Sequence, residues 1–286
     1  MKYAQLGAIG SEIPVVEHNG EFYDLRSVTA RIDGDFLSGD TSKVAGLLAN
    51  NELPVLPDAA SLRIGSPIAR PTAILCIGMN YAAHAAETGS APPENMIIFT
   101  KHPNTMVGPN DDVTIPLRST KTDWEVELGI VIGKAASQLA SPDASADHIA
   151  GFVTVNDLSE RAWQMGISGG QWGKGKSAPG FAPTGPWLVT ADSVDVNNLR
   201  LQSRVNGENR QDSNTSDMIF SPAHIVWELS QYMDLEPGDL ILTGTPQGVA
   251  ISGKYPYLKA GDSMEIEIEH LGMQTQNYVA HEAEGA

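Results

Sequence analysis

The sequence predicts an α+β fold that is predominantly β. Three observations carry this: short apolar runs of strand length recur between turn residues, only three segments from Thr72 onward show a convincing helical period, and strands do not alternate regularly with helices as a doubly wound sheet requires. Residues 1–70 read as a small β-rich N-terminal domain and residues 71–286 as the main domain. The boundary is the proline-punctuated stretch Pro54, Pro57, Pro67 and Pro71.

Taken in order, the apolar runs from Ile13 to Val16 and from Phe22 to Leu25 flank a hairpin turn at His18-Asn19-Gly20, and a helical patch follows around Ser42 to Leu48. The run Ala73 to Ile77 is a strand that ends at Gly78, before a first helix near 80–89. Trp124, Val126, Leu128, Ile130 and Ile132 alternate as one core-facing strand face, and Gly151 to Asn156 forms a second strand leading into a helix near 158–166. Asn206-Gly207 marks a hairpin between Leu201–Val205 and Glu208–Gln211. The third helix, near 222–233, has Ser221 as N-cap, Pro222 at its first position, and Ile225, Leu229 and Tyr232 or Met233 at helical spacing. A further strand, Asp239 to Thr243, runs into the turn Gly244-Thr245-Pro246-Gln247-Gly248.

Charge and composition exclude several function classes. Of 286 residues, 35 are acidic and 18 basic, a net charge of −17, and no run of Lys or Arg exists to neutralise phosphates. A nucleic-acid partner and an anionic membrane surface are therefore not expected. The single cysteine, Cys76, lies in the apolar run Ile74 to Ile77, so it reads as a buried, inert thiol in a reducing compartment. The first residues lack the apolar region of a signal peptide, and no stretch approaches the roughly 20 apolar residues of a membrane span. The expected location is cytoplasmic.

Glu125 and Glu127 share the strand face opposite to Trp124 and Val126. Two carboxylates one pleat repeat apart repel unless water screens them or a cation lies between them. A solvated face is the plainer reading, and it suits Glu265, Glu267 and Glu269. On the acidic face of the first strand, however, Gly129, Val131 and Gly133 follow, which points to a covered surface. Asp157, just after the strand Gly151 to Asn156, is either a third ligand or a helix N-cap boxed by Glu160. Three carboxylates without a Cys or His cluster select magnesium, manganese or calcium over zinc.

His84 and Glu87 stand three apart on an alanine-rich helix, close enough for the carboxylate to orient the imidazole and let it take a proton from water; a surface pair is the plainer alternative. Gly170 to Ser177 spells G-x-x-x-x-G-K-S, the phosphate-loop pattern. No buried strand precedes it, and Pro179, Pro183 and Pro186 bar a helix after it, so nucleotide binding is left as a distant alternative. What remains is a glycine-rich loop that carries Lys176 toward an anionic substrate, or a flexible surface loop. The amides and Thr245 hydroxyl of the turn at 244–248 suit either a bound carboxylate or a structural turn.

Together these blocks resemble the fumarylacetoacetate hydrolase family. The likeness runs from about Ala73 to Val279 and rests on Ile77-Gly78-Met79-Asn80-Tyr81 with His84 and Glu87, on Glu125-Val126-Glu127-Leu128-Gly129, on Asn156-Asp157 with Arg161 and Gln164, on Lys176-Ser177, and on Leu242 to Gly248. It implies a mixed β-roll catalytic domain, one Mg2+ or Mn2+ per subunit held by Glu125, Glu127 and Asp157, and a homodimer. Lys121 to Leu128, Gly169 to Ser177 and the N-terminal unit further resemble bacterial 2,4-diketo-3-deoxy-sugar-acid hydrolases of the L-rhamnonate or L-fuconate type.

That resemblance implies a hydrolase acting on C–C bonds in ketonic substances, which splits C3–C4 of a diketo acid to pyruvate and a second acid such as lactate, in sugar acid catabolism. His84, Glu87 and Lys176 would be catalytic, while Arg161, Gln164, Gly244 and Thr245 would bind substrate or water. Oxaloacetate decarboxylation, or another keto-acid lyase or hydratase reaction, is the rival on the same scaffold.

Overall fold

A computed structural model describes residues 1–39 and 41–281. A mixed sheet of nine strands forms its centre, in the order Glu21–Asp24, Ile13–His18, Lys2–Leu6, Leu188–Thr190, Ile149–Asn156, Val126–Ile132, Leu240–Leu242, Ile74–Gly78 and Ile97–Lys101. Only Leu240–Leu242 and Ile74–Gly78 run parallel within it. The strand Lys2–Leu6 pairs with Leu188–Thr190, which places the strands of residues 1–70 on one side of this sheet. A second sheet runs Glu208–Asn214, Arg200–Val205, Ser263–Ile268, Gly272–Ala280 and Val113–Ile115. This is the predominantly β, α+β architecture that the sequence predicts.

The strand Val126–Ile132 is buried along its whole length because both of its faces are covered. Val126, Leu128, Ile130 and Ile132 meet Leu201, Met264 and Ile266 of the second sheet and Ile225 and Leu229 of a helix. On the other face Val131 packs with Val153, Val155, Ile74 and Leu240, together with Val16 and Val44 of the N-terminal part. Gly129 belongs here for a steric reason: a Cβ on it would lie 2.6 Å from Val153 Cγ2. The covered acidic face is thus real, whereas Glu265 and Glu267 are only half-buried beside Arg204, as a solvated face should be.

The helix Pro222–Tyr232 starts as its sequence signals, with the Ser221 hydroxyl accepting the His224 N–H at 3.3 Å. The turn Asn19-Gly20 has left-handed φ at both residues, as a tight hairpin demands. One helix is a correction. Residues 159–160 form a short strand against Thr122–Asp123, and only Ala162–Ile167 coils, as a single π-turn. Asp157 is not an N-cap. The Glu160 carboxylate instead accepts the backbone N–H groups of Thr120, Lys121 and Ala162 and the Ser119 hydroxyl, which pins the segment in extended form up to that point. No helix of the described residues is long and apolar enough to cross a membrane.

Candidate active site

Register assembles the acidic centre. Asn156 lies opposite Val126 in the antiparallel ladder, so the next residue, Asp157, falls opposite Glu125 and donates its N–H to the Glu125 carbonyl at 3.0 Å. Directly opposed residues share a face, and Glu127 is one pleat repeat further along it. Carboxylate oxygens of Glu125, Glu127 and Asp157 accordingly lie within 4.8 Å of one another, all buried.

Buried cations surround this group. Lys176 Nζ donates to Glu125 Oε2 at 2.5 Å and to Asp157 Oδ2 at 2.7 Å. Arg161 donates to Glu125 Oε1 at 2.6 Å, to Asp123 Oδ2 at 2.9 Å and to the Gln164 side-chain oxygen at 2.9 Å. Lys101 Nζ donates to Asp157 Oδ1 at 2.6 Å and to the Leu158 carbonyl at 3.1 Å. Burial alone would raise the Glu125 carboxyl, but the charges of Arg161 and Lys176 overcome it and hold it well below the usual range. Burial likewise opposes the Lys176 charge, and Asp157 and Glu125 more than offset it, so that amine stays protonated.

Glu127 is different. Among the described residues no cation pairs with it, and the only hydrogen bond to its carboxylate is from the Gly244 N–H at 2.8 Å. Burial, reinforced by the Asp157 and Glu125 charges, pushes its carboxyl well above the ordinary value. A fully buried carboxylate with no positive partner, beside two others, is the arrangement that a hard divalent ion relieves. Three carboxylate oxygens also suit magnesium or manganese better than a softer metal. The residues present therefore fit such an ion.

The centre forms one wall of a cavity of about 460 Å³. His84, Glu87, Glu125, Glu127, Arg161, Gln164, Lys176 and Thr245 all line it, with apolar walls from Ile77, Met79, Phe99 and Trp172. The helix Ala82–Glu87 is set over the cavity by Asn80, which is fully buried. Its amide donates to the carbonyls of Thr243 and Phe220, at 2.8 and 3.0 Å, and its oxygen accepts the Phe220 N–H at 2.7 Å. Gly244 must be glycine there, with φ +95° and a hypothetical Cβ 2.8 Å from that of Asn80.

Two expected relationships differ in detail. His84 Nδ1 lies 3.9 Å from Glu87 Oε2, beyond a hydrogen bond, and it is buried without a partner. Glu87 is engaged elsewhere, accepting the Gly248 N–H at 2.9 Å and the Lys254 amine at 2.7 Å. The expected carboxylate cradle at 244–245 is also committed inward. The Gly244 amide serves Glu127, and the Thr245 hydroxyl donates to the Val126 carbonyl and accepts from Gln211. The stretch that spells a phosphate loop is a short helix, Gly173–Lys176, preceded by the π-turn and not by a strand.

Sequence reasoning missed Lys101 and Asp123. Lys101 ends an apolar strand and resembles an ordinary solvated terminus. Asp123 sits beside Trp124 in the same motif as the glutamates. It accepts the amides of Ala250 and Ile251 as well as the Arg161 guanidinium, and so ties loop 249–254 to the acidic centre.

Residues 73–279 match the fumarylacetoacetate (FAA) hydrolase C-terminal family. The chain belongs to the fumarylacetoacetate hydrolase family. A mitochondrial oxaloacetate tautomerase from Bos taurus is 47% identical over 224 residues, which cover 78% of this chain and 71% of that protein. Among solved structures, a fumarylacetoacetate hydrolase from the psychrophile Exiguobacterium antarcticum superposes with a TM-score of 0.83 at 34% identity, covering 98% of this chain and 100% of the other. A 5-carboxymethyl-2-hydroxymuconate delta-isomerase from Mycobacterium smegmatis gives 0.79 at 31%, covering 99% and 100%. Members of the fumarylacetoacetate hydrolase family are enzymes, among them hydrolases, isomerases and a tautomerase, and they commonly use a divalent metal.

Proposed function

We propose that this member of the family is a divalent-metal-dependent enzyme acting through the enolate of a 2-oxo acid, and that it interconverts the enol and keto forms of a small dicarboxylate such as oxaloacetate. The observation that carries the reading is a buried imidazole, His84, lining the same cavity as Glu125 and Glu127 of the carboxylate triad. Burial lowers the His84 pKa, opposed by Glu125 and seconded by Arg161, so the ring is uncharged near neutral pH. With Nδ1 sealed from solvent, a proton would enter and leave at Nε2. The likeness to an oxaloacetate tautomerase supports the choice of substrate.

A divalent ion held by Glu125, Glu127 and Asp157 would supply Lewis-acid stabilisation of negative charge on an enolate oxygen. In the keto-to-enol direction His84 takes the proton from C3 and gives it to the C2 oxygen, and in the reverse direction it takes the enol hydroxyl proton and delivers it to C3. Lys176 adds a fixed positive charge at the cavity wall, where a charge-assisted hydrogen bond to a developing oxyanion is strongest. Arg161 donates to Asp123, Glu125 and Gln164, and so holds Gln164, whose amide nitrogen is left to donate to substrate.

Hydrolysis is the second reading. His84 and Glu87 share a helix face, and one rotation of the carboxylate would bring them into hydrogen-bond contact for water activation. The cavity of about 460 Å³ is also roomier than a four-carbon diacid needs. On this reading the substrate is a 2,4-diketo acid of the 2,4-diketo-3-deoxy-L-rhamnonate or L-fuconate type, cleaved at C3–C4 to pyruvate and an acid such as lactate. Either reaction takes a small-molecule keto acid in the cytoplasm. A homodimer, as the family resemblance implies, is part of the proposal.

The test is to follow loss of the enol absorbance of oxaloacetate, and pyruvate release from oxaloacetate and from the two diketo acids, each with Mg2+ and with a chelator. Metal-dependent loss of enol without pyruvate supports the tautomerase. Pyruvate with lactate from a diketo acid replaces it with the hydrolase, and pyruvate from oxaloacetate alone replaces it with a decarboxylase.

A further inference from the structure

His84 and Glu87 stand three residues apart on one helix, yet they do not bond, and the reason is on the opposite wall. Segment 248–254 approaches the end of that helix and takes both oxygens of Glu87. The Gly248 N–H reaches Oε2 at 2.9 Å and the Lys254 amine reaches Oε1 at 2.7 Å. The Glu87 side chain is 4% exposed and that of Lys254 63%, so a surface lysine reaches in to neutralise a buried carboxylate. His84 Nδ1, 3.9 Å from Oε2, is left buried and unbonded.

We propose that Lys254 is a positioning residue that withholds the Glu87 carboxylate from His84 Nδ1 and thereby keeps the imidazole a neutral base. The inference rests on the reading of His84 as the proton-moving group. The other charged groups facing His84 are Glu125, Arg161 and Asp123 across the cavity. All three are locked in mutual ion pairs, leaving Glu87 as the one whose partner reaches in from the surface. When Lys254 lets go, Glu87 can turn to accept the Nδ1–H, and a carboxylate in that position favours the imidazolium. Segment 248–254 would then control the acid–base group and, through the Ala250 and Ile251 amides on Asp123, also touch the Arg161–Glu125 side of the site.

The experiment is a proton NMR titration of the histidine ring signals in the full chain, metal-free and Mg2+-loaded, with the His84 signal identified by its loss in His84→Gln. In Lys254→Met the His84 titration should move upward by about half a unit or more, roughly a threefold change in proton affinity. Lys254→Arg should restore it. In a Glu87→Gln background the shift caused by Lys254→Met should vanish, because the amide cannot take up the imidazolium. A His84 titration unmoved by Lys254→Met overturns the proposal. So does a shift that survives in Glu87→Gln, which would be plain through-space repulsion. Because the readout is a titration and not turnover, it stands whichever keto-acid reaction the enzyme proves to catalyse.

Discussion

Lys101 Nζ stands 2.6 Å from Asp157 Oδ1, and neither side chain is exposed to solvent. This ion pair anchors one end of the acidic centre, since it holds Asp157 from behind while Lys176 holds it from the cavity side. Replacing Lys101 with Met keeps much of the volume and removes the charge. Asp157 would then be a buried carboxylate with one cation instead of two, and the Leu158 carbonyl would lose its donor. Breaking a buried pair from one side typically costs about 3–5 kcal/mol. The urea midpoint of Lys101→Met should fall accordingly, with no change in the slope of the transition.

The metal prediction turns on Glu127. Because no cation pairs with it among the described residues, Glu127→Gln should be tolerated by the metal-free protein, while the thermal stabilisation given by Mn2+ or Mg2+ in the parent protein should disappear. His84→Gln should keep that stabilisation. Equal loss of metal response in both variants would contradict the division between ligands and proton-transfer group.

Much of this centre is legible in the sequence, for a definite reason. Strand alternation places Glu125 and Glu127 on one face, and glycines on the same face reveal that something covers it. Asp157 follows from the end of the neighbouring strand. Lys101 is not legible, because its partner is 56 residues away and only the ladder order brings the two together. The helix at 158–166 fails for a comparable cause. Its local pattern is helical, but Glu160 finds the Thr120 and Lys121 amides in a distant turn and a strand partner at Thr122, and these tertiary bonds outweigh propensity. The pairing of His84 with Glu87 is likewise read correctly as a shared face, yet Lys254 and Gly248 lie too far along the chain for any local pattern to show that they occupy the carboxylate.

The pH dependence follows from the buried imidazole. Burial lowers the His84 pKa below its ordinary value of about 6.5. kcat/KM should therefore be level near pH 7 and decline only as acidification protonates the ring. The same shift acts on stability. The unfolded chain takes up this proton at higher pH than the folded one, so as pH falls through about 6.5 protonation favours unfolding. His84→Gln should abolish the acid decline in rate and slow turnover by about 10²–10⁴-fold, the usual worth of a general base. An unchanged acid limb in that variant would assign it to another group.

Gly175 tests whether the glycine-rich stretch serves a nucleotide or its own packing. A Cβ at this residue would lie 2.6 Å from the Gln164 Cβ and backbone nitrogen and equally close to the Glu160 carbonyl. Glycine is needed there because the short helix carrying Lys176 presses against the π-turn carrying Gln164, and no phosphate has to be cradled. Gly175→Ala should push the two apart, costing about 1–3 kcal/mol as overpacking does, and should lower kcat/KM by displacing Lys176 and Gln164 together. ATP should raise the melting temperature of neither the parent protein nor the variant. Stabilisation of the parent by ATP that Gly175→Ala abolishes would return the stretch to the phosphate-binding reading.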